Sequence, residues 1–284
     1  MGNIKKIFLF VVFLAFAQGM TAQELKIVSF NIRYNSWNNI DGENGWPYRK
    51  AAVVRMINEE RPAAIGLQEA LIDQLRYLDS NLPGYKRIGV GRDDGKEAGE
   101  FMAIYYDTTQ LELDIDAHTF WLSETPLVPS LGWDAACRRT VTTAFFRVRG
   151  SNRVFCYLNT HLDHMGKEAR RLGTRMIAAL IKSDKRDWVL CGPNIPVIVG
   201  GDMNSTIEDT IFNAFYNEGL KVARDMPQNT SHADTYNAFG KSKGAMIDHF
   251  FVRRMKVKQF RTLDGDYGVP YISDHYPIEL VIKL

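Results

Sequence analysis

The chain has 284 residues, 45% of them apolar, with 35 Lys or Arg and 33 Asp or Glu. It is long and apolar enough to bury a sizeable core, within the range of a single large α/β or all-β domain. The near balance of charge argues against a protein that binds long nucleic acids through a strongly basic surface. Its three cysteines, Cys137, Cys156 and Cys191, cannot all pair, which excludes a disulfide framework.

The N-terminal segment has the features of a secretory signal peptide. Two lysines precede an apolar run at residues 7–16, which is too short to span a bilayer comfortably, and small residues follow it. We therefore predict that residues 1–22 are removed, with cleavage after Ala17 or Ala22, and that residues 23–284 form one domain. The loss of two lysines leaves 33 basic and 33 acidic residues. The expected product is secreted or periplasmic and has no stable membrane anchor.

Strand-like and helical segments then follow one another along the chain. The strand candidates are rich in Val, Ile, Phe and Tyr and are bounded by Gly, Asn, Asp or Pro. Apolar positions recur with helical spacing in three segments that lie between strands. Because these helices do not collect in one half, the pattern favours an α/β fold with two sheets and helices packed outside them. The predicted strands are Leu25–Phe30, Ala64–Leu67, Phe101–Tyr106, Leu111–Trp121, Thr140–Val148, Val154–Asn159, Pro196–Gly200, Ile247–Val252, Lys256–Leu263 and Tyr276–Ile282. The predicted helices are Arg49–Glu60, Lys167–Ser183 and Thr210–Glu218.

Polar residues stand at the ends of several of these strands. If the strands lie side by side, their ends converge on one cleft. The oxygen ligands that would meet there, without sulfur, suit Mg²⁺ or Mn²⁺ rather than zinc. Two histidines in the same cluster, His161 and His275, add acid–base capacity near neutral pH. Together these groups indicate hydrolysis of a phosphate ester. The oxygen donors are Asn31, Glu69, Asp202 and Asp274.

Six short motifs, in a fixed order, resemble those of the endonuclease/exonuclease/phosphatase superfamily. That superfamily includes pancreatic deoxyribonuclease, abasic-site endonucleases, bacterial sphingomyelinases and inositol polyphosphate phosphatases. The resemblance extends from Lys26 to the C-terminus. It implies a four-layer α/β-β/α sandwich, in which two packed mixed sheets carry helices on their outer faces, and a metal-dependent phosphoric ester hydrolase. The motifs are Ser29-Phe30-Asn31, Leu67-Gln68-Glu69, Asn159-Thr160-His161-Leu162, Gly201-Asp202-Met203-Asn204, Ile247-Asp248-His249 and Ser273-Asp274-His275.

The resemblance also implies a role for each polar residue of the motifs. Asn31 and Glu69 match metal-binding positions, with Glu69 as the principal ligand, and Asp274 matches a carboxylate that ligates the same or a second ion. Asp202 and Asn204 match the pair that orients the attacking water and the scissile phosphate. The implied cofactor is Mg²⁺ or Mn²⁺.

The two histidines take complementary roles in the same comparison. His275, oriented by Asp248, resembles the histidine that bonds the phosphate or takes the proton of the water. His161 resembles the histidine that protonates the leaving group or stabilises the transition state. Its carboxylate partner is expected to be Glu100, with Glu97 as the alternative.

Substrate contacts are expected from arginines at the rim of the cleft. Arg139, or alternatively Arg138, is expected to reach the phosphate, and Arg92 to contribute from the rim. Three segments resemble a bacterial branch of the superfamily and are expected to line the rim of the cleft, where they would supply aromatic faces as well as Arg92. The rim segments are Gly45-Trp46-Pro47-Tyr48-Arg49-Lys50, Gly91-Arg92-Asp93-Asp94-Gly95 and Gly132-Trp133-Asp134-Ala135-Ala136.

The substrate class follows less directly from the residues. Ala70 and Leu71 follow Glu69 where nuclease-like members of the superfamily tend to carry a basic residue, which weakens a DNA substrate. A small metabolite, sugar phosphate or lipid head group, as a mono- or diester, fits the expected rim better. The alternatives are an endonuclease acting on DNA or RNA, and a catalytically inactive binding protein on the same scaffold.

Overall fold

The computed structural model describes residues 23–182, 192, 194–241 and 243–284. The predicted signal peptide, the end of one predicted helix at Ser183, and Cys191 lie outside these residues. Among the helices of the described ranges, none has the length and apolar character needed to cross a membrane.

The described residues form two six-stranded sheets and four α-helices. The strands are β1 Glu24–Asn31, β2 Ala64–Ala70, β3 Tyr85–Ile88, β4 Phe101–Asp107, β5 Leu111–Trp121, β6 Thr140–Val148, β7 Val154–His161, β8 Val197–Asp202, β9 Lys221–Val222, β10 Asp248–Arg253, β11 Lys256–Thr262 and β12 Ile278–Lys283. The helices are α1 Trp46–Glu60, α2 Ile72–Asn81, α3 Lys167–Lys182 and α4 Asn213–Asn217.

Each sheet is built around one parallel pair of strands. The first sheet has the order β11-β12-β1-β2-β4-β3, in which β1 and β2 are parallel. The second has the order β5-β6-β7-β8-β10-β9, in which β7 and β8 are parallel. The other pairings are antiparallel, so β4, β6, β10 and β12 begin at the edge where the parallel strands end. This arrangement brings the ends and the beginnings of eight strands to one edge of the molecule.

Three apolar layers hold the sheets and helices together. The strands' inner faces pack on each other, with Phe146, Tyr157 and Phe250 in that layer. Helices α1 and α2 cover the outer face of the first sheet, and α3 and α4 cover that of the second. The expected α/β-β/α sandwich is confirmed. Burial on both faces explains why the central strands read as near-continuous apolar runs.

Some elements differ from the sequence prediction. Helix α1 begins at Trp46 because Pro47 lies in its first turn, where a fixed φ favours helix initiation. Helix α2 and the edge strands β3 and β9 were not predicted, since α2 buries few side chains and β9 has only two residues. The predicted helix Thr210–Glu218 is a 3₁₀ turn at Thr210–Phe212 followed by α4.

A buried amide pair crosslinks the two sheets just behind the polar edge. Gln68 of β2 donates from Nε2 to Oδ1 of Asn159 in β7 at 2.7 Å. Asn159 Nδ2 donates to the carbonyl oxygens of Leu67 and Ala103, each at 2.9 Å. Because both amides are fully buried, their hydrogen bonds have no water to replace them. The crosslink therefore fixes the first sheet against the second.

Replacement of Asn159 by alanine is expected to lower the free energy of unfolding by about 2 to 4 kcal/mol, because buried donors and acceptors of the first sheet lose their partner. Urea denaturation monitored by circular dichroism measures this change. Asn81→Ala, which removes an exposed hydrogen bond at the end of α2, is the control and is expected to change stability by no more than about 0.5 kcal/mol. Equal effects of the two substitutions would contradict a crosslinking role.

Candidate active site

The polar edge of the sandwich contains a cleft of about 470 Å³ that both sheets line. Nine of the eleven residues predicted for the site face this cleft. The other two, Asn31 and Asp248, lie directly behind it and are fully or almost fully buried. The motifs, far apart in sequence, therefore converge as expected.

Asn31 joins the two halves of the site. Its Nδ2 donates to Glu69 Oε1 and to Asp202 Oδ2, each at 3.0 Å. Glu69 belongs to the first sheet and Asp202 to the second, so one amide sets the separation of two carboxylates on different sheets. The side chain of Glu69 reaches the cleft because a register shift interrupts the pairing of β2 with β4, and Glu69 itself adopts a φ of 61°.

Asp202 occupies the centre of the second half. Its Oδ2 lies 3.4 Å from His161 Nε2 and 3.6 Å from His275 Nε2, while Oδ1 accepts the backbone N–H of Asn204 at 2.9 Å. The Asn204 side chain lies 2.9 Å from His161 Nε2 and donates to the Leu162 carbonyl oxygen at 3.0 Å. One carboxylate is thus shared by both histidines.

His275 is paired with Asp248 as expected. Its Nδ1 lies 2.8 Å from Asp248 Oδ2, and Asp248 sits opposite Asp202 on the neighbouring strand. Burial opposes a charged imidazole, but the charges of Asp248 and Asp202 outweigh it and raise the pKa of His275. Nε2 remains the ring nitrogen turned towards Asp202.

The pKa values of two other buried groups of the site, Asp202 and His161, are shifted so that the neutral form of each is favoured. Burial, and then the charge of Asp248, raises the pKa of Asp202. Burial lowers the pKa of His161 well below its ordinary value, and the charges of Arg139 and Arg92 lower it further. The structure therefore favours a neutral His161 and a cationic His275, and it makes Asp202 more basic than an exposed carboxylate.

The predicted contact between Glu100 and His161 does not form. Both carboxylate oxygens of Glu100 accept hydrogen bonds from the Arg92 guanidinium, at 2.7 and 2.9 Å. The carboxylate that was expected to bond His161 therefore bonds Arg92 instead. Within the described residues, His161 Nδ1 is buried without a hydrogen-bond partner. The alternative partner, Glu97, instead pairs with Arg76 on the exposed surface. Burial, and then the charge of nearby Glu69, raises the pKa of Glu100 to about 7.

Arg139 faces the cleft, and Asp163 and His164 fix its guanidinium. Its Nε donates to Asp163 Oδ2 at 3.1 Å, and its Nη2 lies 3.0 Å from His164 Nδ1. Arg138, the alternative, pairs with Asp93 at 3.4 Å on the exposed surface. The position of Arg139 is therefore compatible with the expected phosphate contact, and that of Arg138 is not.

Two of the expected rim aromatics lie elsewhere. Trp46 is buried in the layer between α1 and the first sheet, and Trp133 is partly buried against the layer that holds α3. Arg92 is the rim residue that does reach the cleft, with its guanidinium held by Glu100.

Several cleft residues were not predicted from the sequence. Arg33 lies beside Glu69 and Asp274, and Tyr236 packs against His275 with ring centroids 5.1 Å apart. Tyr34 and His164 also line the cleft. The position of Arg33, two residues after Asn31, was a usable signal, whereas Tyr236 lies in a loop with no motif.

Comparison with known proteins agrees with this geometry. A model of the endonuclease/exonuclease/phosphatase family matches residues 28–275. The chain belongs to this family. It is therefore a metal-dependent hydrolase of phosphoric esters.

Three similar proteins, two of them with solved structures, align with nearly all of the chain. An endonuclease/exonuclease/phosphatase from Bacteroides vulgatus is 33% identical, with a TM-score of 0.83 over 92% of this chain and 99% of the other. A mannosyl-6-phosphatase from Bacteroides thetaiotaomicron is 31% identical, with a TM-score of 0.83 over 92% and 100%. An uncharacterized protein of Acanthamoeba polyphaga mimivirus is 23% identical over 91% of this chain and 100% of its own length.

Double-mutant cycles in unfolding free energy test the new partner of Glu100. For Arg92→Gln combined with Glu100→Gln we expect a coupling of about 1 kcal/mol or more, because the two side chains share two hydrogen bonds in a mostly buried place. For Glu100→Gln combined with His161→Ala we expect additivity within about 0.5 kcal/mol. A larger coupling for Glu100 with His161 than for Glu100 with Arg92 would support the predicted contact between Glu100 and His161 instead.

Proposed function

We propose that this chain is an exported, Mg²⁺-dependent phosphatase that hydrolyses a compact phosphate ester such as a sugar phosphate. The observation that supports this proposal best is the composition of the cleft. A carboxylate pair, two histidines around Asp202 and three arginines all face one small space. A cleft of about 470 Å³ matches a small ligand rather than a long duplex. The mannosyl-6-phosphatase, which is 31% identical, supports a sugar phosphate.

The first half of the site has the donors that a hard divalent cation needs. Glu69 and Asp274 present carboxylate oxygens to the cleft, and the Asn31 amide behind them orients Glu69 through its Nδ2 while its oxygen accepts the backbone N–H of Arg33. Burial, and then the charge of nearby Glu69, raises the pKa of Asp274. Because these donors include no sulfur or imidazole, they fit Mg²⁺ or Mn²⁺. When bound there, the ion would neutralise charge on the phosphate oxygens.

The second half would position the water and move its proton. Asp202, with a raised pKa and the backbone N–H of Asn204 on Oδ1, is placed to orient the water and accept its proton on Oδ2. His275, kept cationic by Asp248, would donate from Nε2 to a phosphate oxygen. Of the two roles that the resemblance implied for His275, the proposal keeps the bond to the phosphate and gives the proton of the water to Asp202.

The groups opposite would hold the ester and its leaving group. The side chains of neutral His161 and Asn204 share a hydrogen bond, which fixes both at the wall of the cleft. Arg139, held by Asp163, would contact the phosphate. These residues are fixed before substrate binds, so little reorganisation is needed in the transition state.

A substrate panel with added Mg²⁺ tests the activity. Sugar phosphates are expected to have the highest kcat/KM, above bis(p-nitrophenyl) phosphate, sphingomyelin and plasmid DNA. Glu69→Ala and His275→Ala are each expected to lower kcat/KM by about 100-fold or more, and chelation by EDTA is expected to abolish turnover.

Two exposed residues away from the cleft supply matched controls for that panel. Glu59→Ala on α1 and His118→Ala on β5 remove the same side-chain types and are expected to keep full activity. Full activity of Glu69→Ala would refute the site, and preferential cleavage of DNA would refute the substrate class.

Export is the second part of the proposal and rests on the N-terminal sequence. Expression of the full chain in a bacterial host, followed by fractionation and intact-mass measurement, should give a periplasmic or secreted protein that begins at Gln18 or Gln23. Deletion of residues 2–22 should leave the protein in the cytoplasm. Recovery of the uncleaved full-length chain in the cytoplasm would contradict export.

A further inference from the structure

A fixed arginine lies in the proposed metal half of the cleft. The guanidinium of Arg33 is 3.9 Å from Glu69 Oε2 through Nη1 and 3.9 Å from Asp274 Oδ2 through Nε. These separations are beyond hydrogen-bond length, so Arg33 itself occupies none of the lone pairs of the two carboxylates. Arg33 is nevertheless near enough for its charge to act on whatever those oxygens bind.

Asp41 holds the side chain of Arg33 in this position. Asp41 accepts two hydrogen bonds from the guanidinium, from Nε at 3.1 Å and from Nη2 at 3.0 Å, and is itself largely buried. The guanidinium also lies 4.4 Å above the ring of Tyr34. A forked pair of this kind fixes the orientation of the guanidinium as well as its place.

The backbone of Arg33 is equally constrained. Its N–H donates to Asn31 Oδ1 at 3.0 Å, and its carbonyl oxygen accepts from Arg49 Nη2 at 2.7 Å and from Gln74 Nε2 at 3.0 Å. Its φ is 57°, in the left-handed region. These three bonds keep the side chain beside the cleft.

The charged groups around Arg33 leave a small net acidic charge for an ion. Arg33 and the buried Arg49 act on the carboxylates of Asp41, Glu69 and Asp274, and the five groups together carry one net acidic charge. We propose that Arg33, held in place by Asp41, lowers the negative charge beside Glu69 and Asp274, so that the half-site binds one divalent ion and holds it less tightly than the two carboxylates would without Arg33. The inference rests on the proposed function, because it takes Glu69 and Asp274 as the ligands.

A second acidic group of the cleft, formed by Asp202 and Asp248, already has His275 as its partner. Ligand atoms of Asp202, Asp248 and His275 lie within 4.8 Å of one another, a spacing that also suits an ion. His275 Nδ1 already lies 2.8 Å from Asp248 Oδ2, so this group carries its own cationic partner, the imidazole of His275. This geometry agrees with one ion for the whole cleft.

Mn²⁺ binding, followed by calorimetry and by electron paramagnetic resonance, tests the inference on the metal-free protein. The unsubstituted chain is expected to bind one Mn²⁺. Arg33→Gln is expected to bind Mn²⁺ about tenfold more tightly, because a cation beside the ion is removed. Asp41→Asn is expected to bind it about tenfold more weakly, because the charge of Arg33 is no longer cancelled.

Opposite signs for the two variants separate a charge effect from a structural one. If the pair only supported the loop, both substitutions would weaken binding. Arg87→Gln, which breaks a similar forked pair with Asp79 away from the cleft, is the matched control and should leave the affinity unchanged. Unchanged or weaker binding by Arg33→Gln, or two ions on the unsubstituted chain, overturns the inference. If Arg33→Gln fails to fold, Arg33→Met, which removes the charge and keeps a long side chain, takes its place, and unchanged or weaker binding by that variant overturns the inference.

Glu69→Ala distinguishes failure of this inference from failure of the proposed function. Retained Mn²⁺ binding in Glu69→Ala would overturn the metal assignment and, with it, both proposals. Lost binding in Glu69→Ala together with an unaltered affinity in Arg33→Gln would overturn only the role of Arg33.

Discussion

The active site depends on buried amides that fix one sheet against the other. Glu69 and the adjacent Asp274 and His275 come from the first sheet and the segment that leads into β12, whereas His161, Asp202 and Asp248 come from the second, so any sliding of the sheets would separate the two sets. Apolar packing between the sheets is strong but not directional. Hydrogen bonds are directional, and Asn31 bonds both Glu69 and Asp202 at 3.0 Å. Gln68 and Asn159 repeat the connection one layer deeper, at 2.7 Å. The core gives the fold its stability, and these amides give the site its alignment.

The site also shows how buried charges are tolerated. Each arginine that faces the cleft is held by its own carboxylate: Arg33 by Asp41, Arg92 by Glu100 and Arg139 by Asp163. An unpaired charge in such a place would be costly, whereas a carboxylate partner offsets that cost and orients the guanidinium. A phosphate ester entering the cleft would therefore meet arginines already in place. Substrate affinity then depends on how much of each guanidinium its carboxylate leaves free.

The sequence was sufficient for the fold and for most of the site because both depend on strand ends. Buried strands are apolar on both faces, so a polar residue such as Asn31 or His161 marks the place where a strand leaves the core. The Glu100 contact was wrong because pairing between side chains from separate loops follows from three-dimensional distance, and a nearby arginine competed for the same oxygens. Trp46 was expected at the rim because an aromatic residue in a loop cannot be distinguished by sequence from one at the start of a helix. Tyr236 was missed because no local pattern distinguishes it.

The left-handed backbone at Glu69 gives this site a cost in stability. A φ of 61° at a non-glycine residue is unfavourable by about 1 kcal/mol, and it arises where β2 departs from regular pairing. A glycine at this position would relax the backbone and remove the carboxylate at the same time. Selection for a more stable fold and selection for ester hydrolysis therefore act in opposite directions on this one residue.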